Sequence, residues 1–217
     1  MCVRTGLASF GACMLIAAVA GSMALAQPAD TSHKPAGQPE MKLPPGWTAE
    51  DMQACMMAGM PGKEHQTLMS YAGTWKGECK MWMGPGMDPI TTTQTWTMTP
   101  FMDGRFLKND VTGDIPGMGP FVGMGLTGFD NVSKKFVGTW VDSMGSGIMN
   151  GTGELSADGK TETWSFTYNC PVTKKPTVMR EILHHTSPTT MTVEFHMVDP
   201  KSGKEYKGME HTLTKSK

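Results

Sequence analysis

From residue 73 onward, hydrophobic and polar side chains alternate along the chain, and turn-forming residues interrupt the alternation at short intervals. In 161–170, for example, the even positions from Trp164 to Cys170 carry large side chains, and the odd positions are polar. Such alternation predicts β-strands that bury one face. The predicted strands are 73–83, 91–99, 104–113, 121–129, 135–144, 148–155, 161–170, 177–186, 190–198 and 204–214.

The connections between these strands are short, and no long helix separates them, which predicts an antiparallel meander. A sheet of so many strands usually curls and closes on itself. We therefore expect an all-β fold in which residues 73–217 form an antiparallel meander closed into a barrel of about eight to ten strands. A barrel of that size has room inside for side chains or for one small ligand.

One or two short helices are expected ahead of the barrel. The segment from Thr48 to Asp51 matches a capping box, which predicts a helix that begins there and ends near Ala58. A second short helix is expected at about 62–71. We interpret 47–72 as a helical lid, and 27–46, which is rich in Pro, Gly, Gln and Ala, as a disordered tether.

Residues 1–26 have the pattern of a secretory signal peptide. Arg4 supplies the positive charge, 7–19 is almost wholly apolar, and Ala24-Leu-Ala26 is an A-x-A cleavage site. We expect cleavage after Ala26 and export to the bacterial periplasm or the extracellular space; a lipid anchor at Cys13 is a weaker alternative. The apolar run is too short to span a bilayer and no second one follows, so no transmembrane segment is expected after cleavage.

Composition raises one question about chemistry. The chain has 217 residues, of which 22 are Met, and a formal net charge of -1 with 18% charged residues. The absence of a basic excess argues against a nucleic-acid partner. Methionine is a flexible core filler and also a soft ligand for Cu(I), so the methionine excess points either to packing or to copper.

The strongest candidate for copper lies in the first predicted helix. Met52, Cys55 and Met56 are spaced so that they share one helical face, and Met60 follows. Thioether and thiolate ligands suit Cu(I). The alternative is that the methionines form a hydrophobic lid packed on the barrel, with Cys55 buried or disulfide-bonded.

Signal cleavage would leave three cysteines, Cys55, Cys79 and Cys170. In an exported chain, the simplest expectation is one disulfide and one free thiol. The sequence does not decide which two cysteines would pair.

A family resemblance supports the barrel. Gly73-Thr-Trp75, at the start of the first strand, resembles the G-x-W motif of lipocalin-like (calycin) barrels. More specifically, the stretch from about Gly62 to Thr214 resembles the bacterial domain family of unknown function DUF1579. The matching pieces are Glu64-His65, Gly73-Thr-Trp75, Met81-Trp-Met83, Gly104-Arg-Phe-Leu107, Gly128-Phe-Asp-Asn-Val-Ser133, Thr139-Trp-Val-Asp-Ser-Met-Gly145, Thr173-Lys-Lys-Pro176 and Arg180-Glu181.

The resemblance implies a calycin-type barrel and no particular reaction. It also implies that Trp75 closes the barrel floor, often under an arginine in that superfamily. Arg105 and Arg180 are the two arginines that follow the signal segment, and either is a candidate to pack on Trp75.

The leading functional hypothesis is a binding barrel for a small, largely apolar molecule. Its expected pocket residues are inward-facing aromatic and sulfur-containing side chains, together with Arg180 and His211 as polar groups. The apolar candidates are Trp75, Met81, Trp96, Trp140, Trp164, Phe166 and Phe195. A barrel whose interior is filled by side chains remains the structural alternative.

An enzyme is the third hypothesis, acting through Arg180, Glu181 and His211 inside the barrel. No G-x-S-x-G, H-E-x-x-H or C-x-x-C motif is present, so no catalytic residues are assigned. The run Gly123-Met-Gly-Leu-Thr-Gly128 matches G-x-G-x-x-G, but a turn and another strand follow it. A dinucleotide site needs a helix there, so we expect these glycines to allow bends and close packing.

Overall fold

The computed structural model describes residues 43–216, so the predicted signal peptide and most of the predicted tether lie outside the described residues. Two helices, α1 (Ala49–Ala58) and α2 (Lys63–Ser70), precede ten strands. The strands are β1 (Gly73–Met81), β2 (Ile90–Phe101), β3 (Phe106–Ile115), β4 (Gly119–Asp130), β5 (Lys135–Asp142), β6 (Met149–Leu155), β7 (Thr161–Asn169), β8 (Pro176–Ser187), β9 (Thr190–Val198) and β10 (Glu205–Lys215).

Each strand pairs antiparallel with the next, and β1 pairs with β10 to close the barrel. Trp75 lies opposite Lys215 at one end of this closing pair, and Met81 lies opposite Met209 at the other. The predicted all-β barrel is confirmed, with ten strands whose ends fall within two residues of those expected from the sequence. Hydrophobic alternation located the strands because each one buries one face inside the barrel.

The floor of the barrel is built around Trp75, which is 2% exposed. Its Nε1 donates a hydrogen bond to the carbonyl oxygen of Tyr71 (2.9 Å). The cation over its ring is Lys215, whose Nζ lies 5.4 Å from the ring centroid, so the expectation of an arginine there is wrong. Arg105 instead donates to the Gly59 carbonyl, and Arg180 points outward because inward positions of β8 are odd-numbered.

Helix α2 covers the floor end of the barrel. It buries His65 and Leu68, and the ring of His65 packs edge-on against Phe129 with centroids 5.9 Å apart. The Gly62 backbone N–H donates to Nδ1 of His65 (3.0 Å), which fixes the start of the helix. Helix α2 therefore caps the floor end of the barrel.

Helix α1 begins at the predicted capping box: the Thr48 side chain accepts from the Asp51 backbone, and the Asp51 side chain accepts from the Thr48 backbone. It buries none of its side chains, so the expected packing of its methionines against the barrel is not present. Its C-terminal end is held by the barrel turns, since Asn131 Nδ2 donates to the carbonyls of Ala58 (3.0 Å) and Met60 (2.8 Å).

The expected disulfide is absent among the cysteines of the described chain, where Cys55, Cys79 and Cys170 are all free thiols. Cys79 faces the barrel interior and is fully buried, whereas Cys55 is exposed on α1. The Cys55 thiol, exposed on α1, cannot reach the Cys79 thiol inside the barrel without displacing the wall between them.

The glycine-rich run lies along β4. A Cβ atom on Gly123 would come within 2.3 Å of the Trp140 ring, and one on Gly128 would come within 2.6 Å of the Phe106 ring. These glycines thus give aromatic rings room against the strand, as expected from the sequence. The run is followed by a turn and β5, an arrangement that does not fit a dinucleotide site.

Candidate ligand cavity in the barrel

The barrel encloses a cavity of about 390 Å³. Inward-facing side chains of the strands form its wall, while Leu68 of α2 and Tyr71, which follows α2, reach it from the floor. At the opposite end, Met83, Met118 and Met144 come from the loops after β1, β3 and β5. These three side chains are about half exposed and lie at the mouth of the cavity.

The structure brings most of the predicted pocket residues together. The wall contains Met81, Trp96, Trp140, Trp164, Phe166, Phe195 and His211. Trp75 lies in the buried core of the floor but not in the cavity wall.

Arg180 lies outside the cavity. Its Nη2 donates to Glu205 Oε1 (2.6 Å) on the outer face of the barrel, where Glu205 also lies 3.7 Å from Nδ1 of His196. The predicted polar trio of Arg180, Glu181 and His211 is therefore not assembled, because neighbouring positions of one strand face opposite sides of the sheet.

More methionines line the cavity than the sequence analysis predicted. Met81 was the only methionine among the predicted pocket residues, yet nine methionines line the cavity. They are Met81, Met83, Met98, Met118, Met144, Met149, Met179, Met197 and Met209. Most of them occupy the same alternate, inward-facing positions of their strands as the predicted aromatic residues. The hydrophobic alternation could therefore have identified them.

Glycines on β6 shape the aromatic wall. Trp164 and Phe166 stack with their centroids 5.6 Å apart and their planes 17° from parallel. Gly151 lies opposite Phe166 and Gly153 opposite Trp164 in the pairing of β6 with β7. A Cβ atom on either glycine would come within about 2.5 Å of the facing ring. The two rings therefore lie flat across β6 and give the cavity a continuous aromatic surface.

A polar cluster lies in the same wall near the floor. Glu162 is 4% exposed and accepts a hydrogen bond from Nε1 of Trp164 (3.0 Å). Its other oxygen lies 3.1 Å from Nε2 of His185, and Tyr71 stacks on the His185 ring with centroids 4.4 Å apart. Burial, together with the charge of Glu162 and a hydrogen bond to it, raises the pKa of Tyr71. Sequence reasoning missed Glu162 and His185, although Glu162 shares the parity of Trp164.

Glu181 lines the cavity beside this cluster and lies opposite Trp164 in the register of β7 and β8. Burial raises the pKa of its carboxyl group to about 8, and the nearby charge of Glu162 adds to the effect. At neutral pH, most Glu181 side chains therefore hold a proton. Within the described chain, no other residue forms a hydrogen bond with this carboxyl group.

Two strands away from Glu181, on β10, His211 is 2% exposed and packs edge-on against Trp96 and Phe195, with centroids 5.1 and 5.5 Å away. Its Nε2 lies 3.8 Å from the Cys79 sulfur. Burial lowers the pKa of His211 to about 4 and raises that of the Cys79 thiol to about 11, so both groups are neutral at physiological pH. Nδ1 of His211 and Oδ1 of Asn109 have no hydrogen-bond partner within the described chain.

The predicted copper ligands lie apart from the cavity. Cys55, Met56 and Met60 are exposed on or just after α1, and Met52 is half-buried. Among residues 43–216, no group of three or more His, Cys, Asp or Glu side chains is arranged to hold a metal ion. Nor does that region contain a helix with the length and apolar character required to cross a membrane.

The solved structures that share the fold include two that align over most of their own length. The crystal structure of Rv2717c from M. tuberculosis aligns with a TM-score of 0.54 at 14% identity, covering 73% of this chain and all of that one. The S-type phycobiliprotein lyase CPES from Guillardia theta aligns with a TM-score of 0.51 at 10% identity, covering 75% of this chain and 97% of that one. Identities this low establish a shared fold alone.

No curated protein matches the sequence. A family model described as a protein of unknown function, DUF1579, matches residues 60–215, which include α2 and all ten strands. The resemblance noted in the sequence is thereby confirmed, and the chain belongs to the DUF1579 family.

Proposed function

We propose that this protein binds one small, largely apolar molecule inside the barrel. The observation that carries the proposal is the cavity of about 390 Å³, whose wall consists mainly of methionine and aromatic side chains. Ligand pockets in proteins typically have volumes of roughly 300–1,000 Å³ and apolar walls with a few polar groups. One structural neighbour is described as a phycobiliprotein lyase, which supports the use of such a barrel in handling a small molecule.

The composition of the wall indicates how the ligand is held. Rigid aromatic rings such as Trp164 and Phe166 provide flat contact surfaces. Methionine side chains have several rotatable bonds and adapt to irregular shapes. Each methylene group of ligand that leaves water contributes about 0.8 kcal/mol, so contact with this wall supplies most of the expected affinity.

Titration with the neutral apolar fluorophore N-phenylnaphthylamine tests the proposal. Thr127 lines the cavity, so Thr127→Phe should occupy part of its volume and weaken binding. Thr163 lies on the outer face of β7, so Thr163→Phe is the matched control and should bind as the wild type does. Equal binding by Thr127→Phe and the wild type would show that the fluorophore binds elsewhere. Native mass spectrometry of the purified wild type should also detect a co-purified molecule.

We also propose that the protein acts outside the cytoplasm. The support is the signal-peptide pattern of residues 1–26 and its A-x-A site ending at Ala26. Mass spectrometry of the exported protein should find a chain that begins at Gln27. A chain that keeps Met1 and stays in the cytoplasmic fraction would contradict this.

Binding of Cu(I) at α1 is a second candidate function. One observation favours it: Cys55, Met56 and Met60 are exposed, so packing on the barrel does not account for the cluster. Anaerobic Cu(I) titration should show tight binding that is lost in Cys55→Ser/Met56→Leu. The control Cys170→Ser/Met87→Leu makes the same two changes elsewhere and should retain binding. Equal binding by both variants would eliminate the α1 site.

A further inference from the structure

We propose that the cavity selects a lipophilic cation of the alkylammonium class, with its positive group beside Glu162 and Glu181 and its apolar part along the Trp164–Phe166 wall. The inference rests on the proposed function of the cavity as a ligand site and specifies the charge of the ligand. It follows from the charges of the wall, the positions of the two carboxyl groups and the unpaired polar atoms elsewhere in the wall.

The titratable side chains of the cavity wall are strongly unbalanced in charge. Asp142, Glu162 and Glu181 line the cavity, and the lining residues of the described chain include no lysine or arginine. Asp142 is already bound near the mouth by Nε1 of Trp140 (2.8 Å) and the Met144 backbone N–H (2.9 Å). A carboxylate ligand would meet no positively charged side chain in this wall, whereas a cation would meet carboxyl groups that can balance its charge.

The two deeper carboxyl groups lie close enough to share one cation. Glu162 lies opposite Leu183 and Glu181 lies opposite Trp164, so the two glutamates are diagonal neighbours on the inner face of β7 and β8. Diagonal neighbours in a sheet are about 7–8 Å apart, within reach of side chains that converge on one group. Glu162 is already oriented by Trp164 and His185, whereas Glu181 has its hydrogen-bonding capacity free for a ligand.

An independent observation places unsatisfied polar atoms in the same cavity. His211 is 2% exposed and its Nδ1 has no partner within the described chain; Oδ1 of Asn109 is likewise unpaired there. Buried polar atoms are normally hydrogen-bonded, and leaving one unpaired costs free energy. An amide oxygen can only accept hydrogen bonds, so the Asn109 side of the cavity suits a ligand rich in donors. His211, on β10 and two strands from Glu181 in the sheet, leaves its Nδ1 for a polar group of a ligand bound on the glutamate side.

The aromatic wall also suits a cation. The faces of aromatic rings carry negative electrostatic potential and attract positive groups, most strongly at tryptophan. Trp164 stacks on Phe166 directly beside Glu181 in the sheet register. An ammonium group beside Glu181 would therefore contact the edge of this aromatic surface, with its alkyl chain lying along it.

Binding of a cation would also move a proton. The other titratable side chains of the cavity wall are Tyr71, Asp142, Glu162, Tyr168 and His211, and His185 is paired with Glu162. In the empty cavity, the pKa of Glu181 is about 8, so the carboxyl group holds a proton at neutral pH. A bound cation favours the carboxylate, and the proton is released to solvent as the ion pair forms.

The test compares three probes with the same alkyl chain: decylamine, decanol and decanoate. The full-length chain is titrated with each at pH 7 by calorimetry, with tryptophan fluorescence as a second signal. We expect decylamine to bind at least about 30-fold more tightly than decanoate, with decanol between them. Glu181→Gln should weaken decylamine binding by about 30-fold and leave decanol binding unchanged.

The control variant is Glu154→Gln, which makes the same chemical change on the outer face of β6, where Glu154 is paired with Lys135. It should bind all three probes as the wild type does. The wild type alone gives a further test that needs no substitution: its affinity for decylamine should rise between about pH 6.5 and 8.5, as Glu181 loses its proton, while its affinity for decanol stays constant.

The outcomes separate the two proposals. If none of the three probes binds, the proposed function fails and the inference fails with it. If decanol binds and decylamine has no advantage over decanoate, the cavity is a ligand site but its charge preference is overturned. Persistence of the decylamine preference in Glu181→Gln would also overturn the inference, since the cation would then be bound elsewhere.

Discussion

Gly153 and Trp164 lie directly opposite each other on β6 and β7, and a Cβ atom on Gly153 would come within 2.4 Å of the indole ring. Trp164 cannot easily move aside, because it is 4% exposed and its Nε1 is bonded to Glu162. The absence of a side chain at Gly153 is thus what allows the ring to lie flat in the cavity wall.

Gly153→Ala should therefore destabilise the protein by about 1–3 kcal/mol, because the added methyl group overpacks a rigid site. The free energy of unfolding from urea denaturation measures this. Gly145→Ala is the control: a Cβ atom there would meet nothing within 4 Å. Its stability should stay within about 0.5 kcal/mol of the wild type. Equal effects of the two substitutions would rule out the contact with Trp164 as the cause.

Glu181 should make the protein less stable as the pH rises toward 8. Its pKa is raised from 4.5 to about 8, so between these values the folded state holds a proton that the unfolded state has released. His211 acts in the opposite direction between about pH 4 and 6.5, because its pKa is lowered from 6.5 to about 4. The two effects oppose each other below pH 6.5, and the effect of Glu181 remains above it.

From pH 6.5 to 8, the free energy of unfolding should thus fall by roughly 2 kcal/mol through Glu181. Urea denaturation at several pH values measures the slope. Glu181→Gln has no proton to lose and should show a flatter dependence over this window. Parallel curves for the wild type and the variant would mean that Glu181 does not titrate there.

The three cysteines of the described chain should differ in their reactivity toward iodoacetamide. Cys55 is exposed on α1 and should be alkylated first. Cys79 is fully buried and its thiol pKa is raised to about 11, so little of the reactive thiolate is present and it should resist alkylation. Peptide mapping by mass spectrometry gives each rate, and all three should react in guanidinium. A disulfide-linked peptide pair from the native protein would contradict the free thiols.

Asn131 should control the mobility of α1 without supporting the barrel. Its side chain donates to two carbonyls at the C-terminal end of the helix, and α1 buries no side chain of its own. Asn131→Ala should speed hydrogen exchange in 49–60 while changing the stability of the barrel by less than about 1 kcal/mol. Asn150→Ala, on the outer face of β6, should leave exchange in α1 unchanged. Unchanged exchange in Asn131→Ala would show that other contacts hold the helix.

The fold was predictable because it repeats one local rule ten times: each strand buries alternate side chains. That rule placed Trp164 and Phe166 in the wall, and it also implied the positions of Met179 and Met197, which were not included among the pocket candidates. The prediction that Arg180 lines the pocket is wrong because it departs from this rule. Inward positions of β8 are odd-numbered, so Glu181 faces the cavity and Arg180 faces outward.

Features that depend on long-range packing could not be read from the pattern. The capping box predicted where α1 begins, but no local signal shows whether a helix rich in methionine packs on the barrel. The cation above Trp75 is Lys215, from the far end of the chain, and strand closure alone brings it there. The cluster of Glu162, His185 and Tyr71 likewise joins two strands and a helix end that are distant in sequence.

The pairing of β1 with β10 has a consequence for how the site comes into being. It joins Trp75 to Lys215, so the contacts that close the barrel are among the most distant in sequence. Topologies dominated by such contacts fold slowly, on the order of milliseconds to seconds. A chain cut short before Glu205 would lack His211 and leave the cavity open along its whole side. The cavity thus forms only once the final strand is in place, and a nascent or truncated chain has no enclosed space in which to hold a ligand.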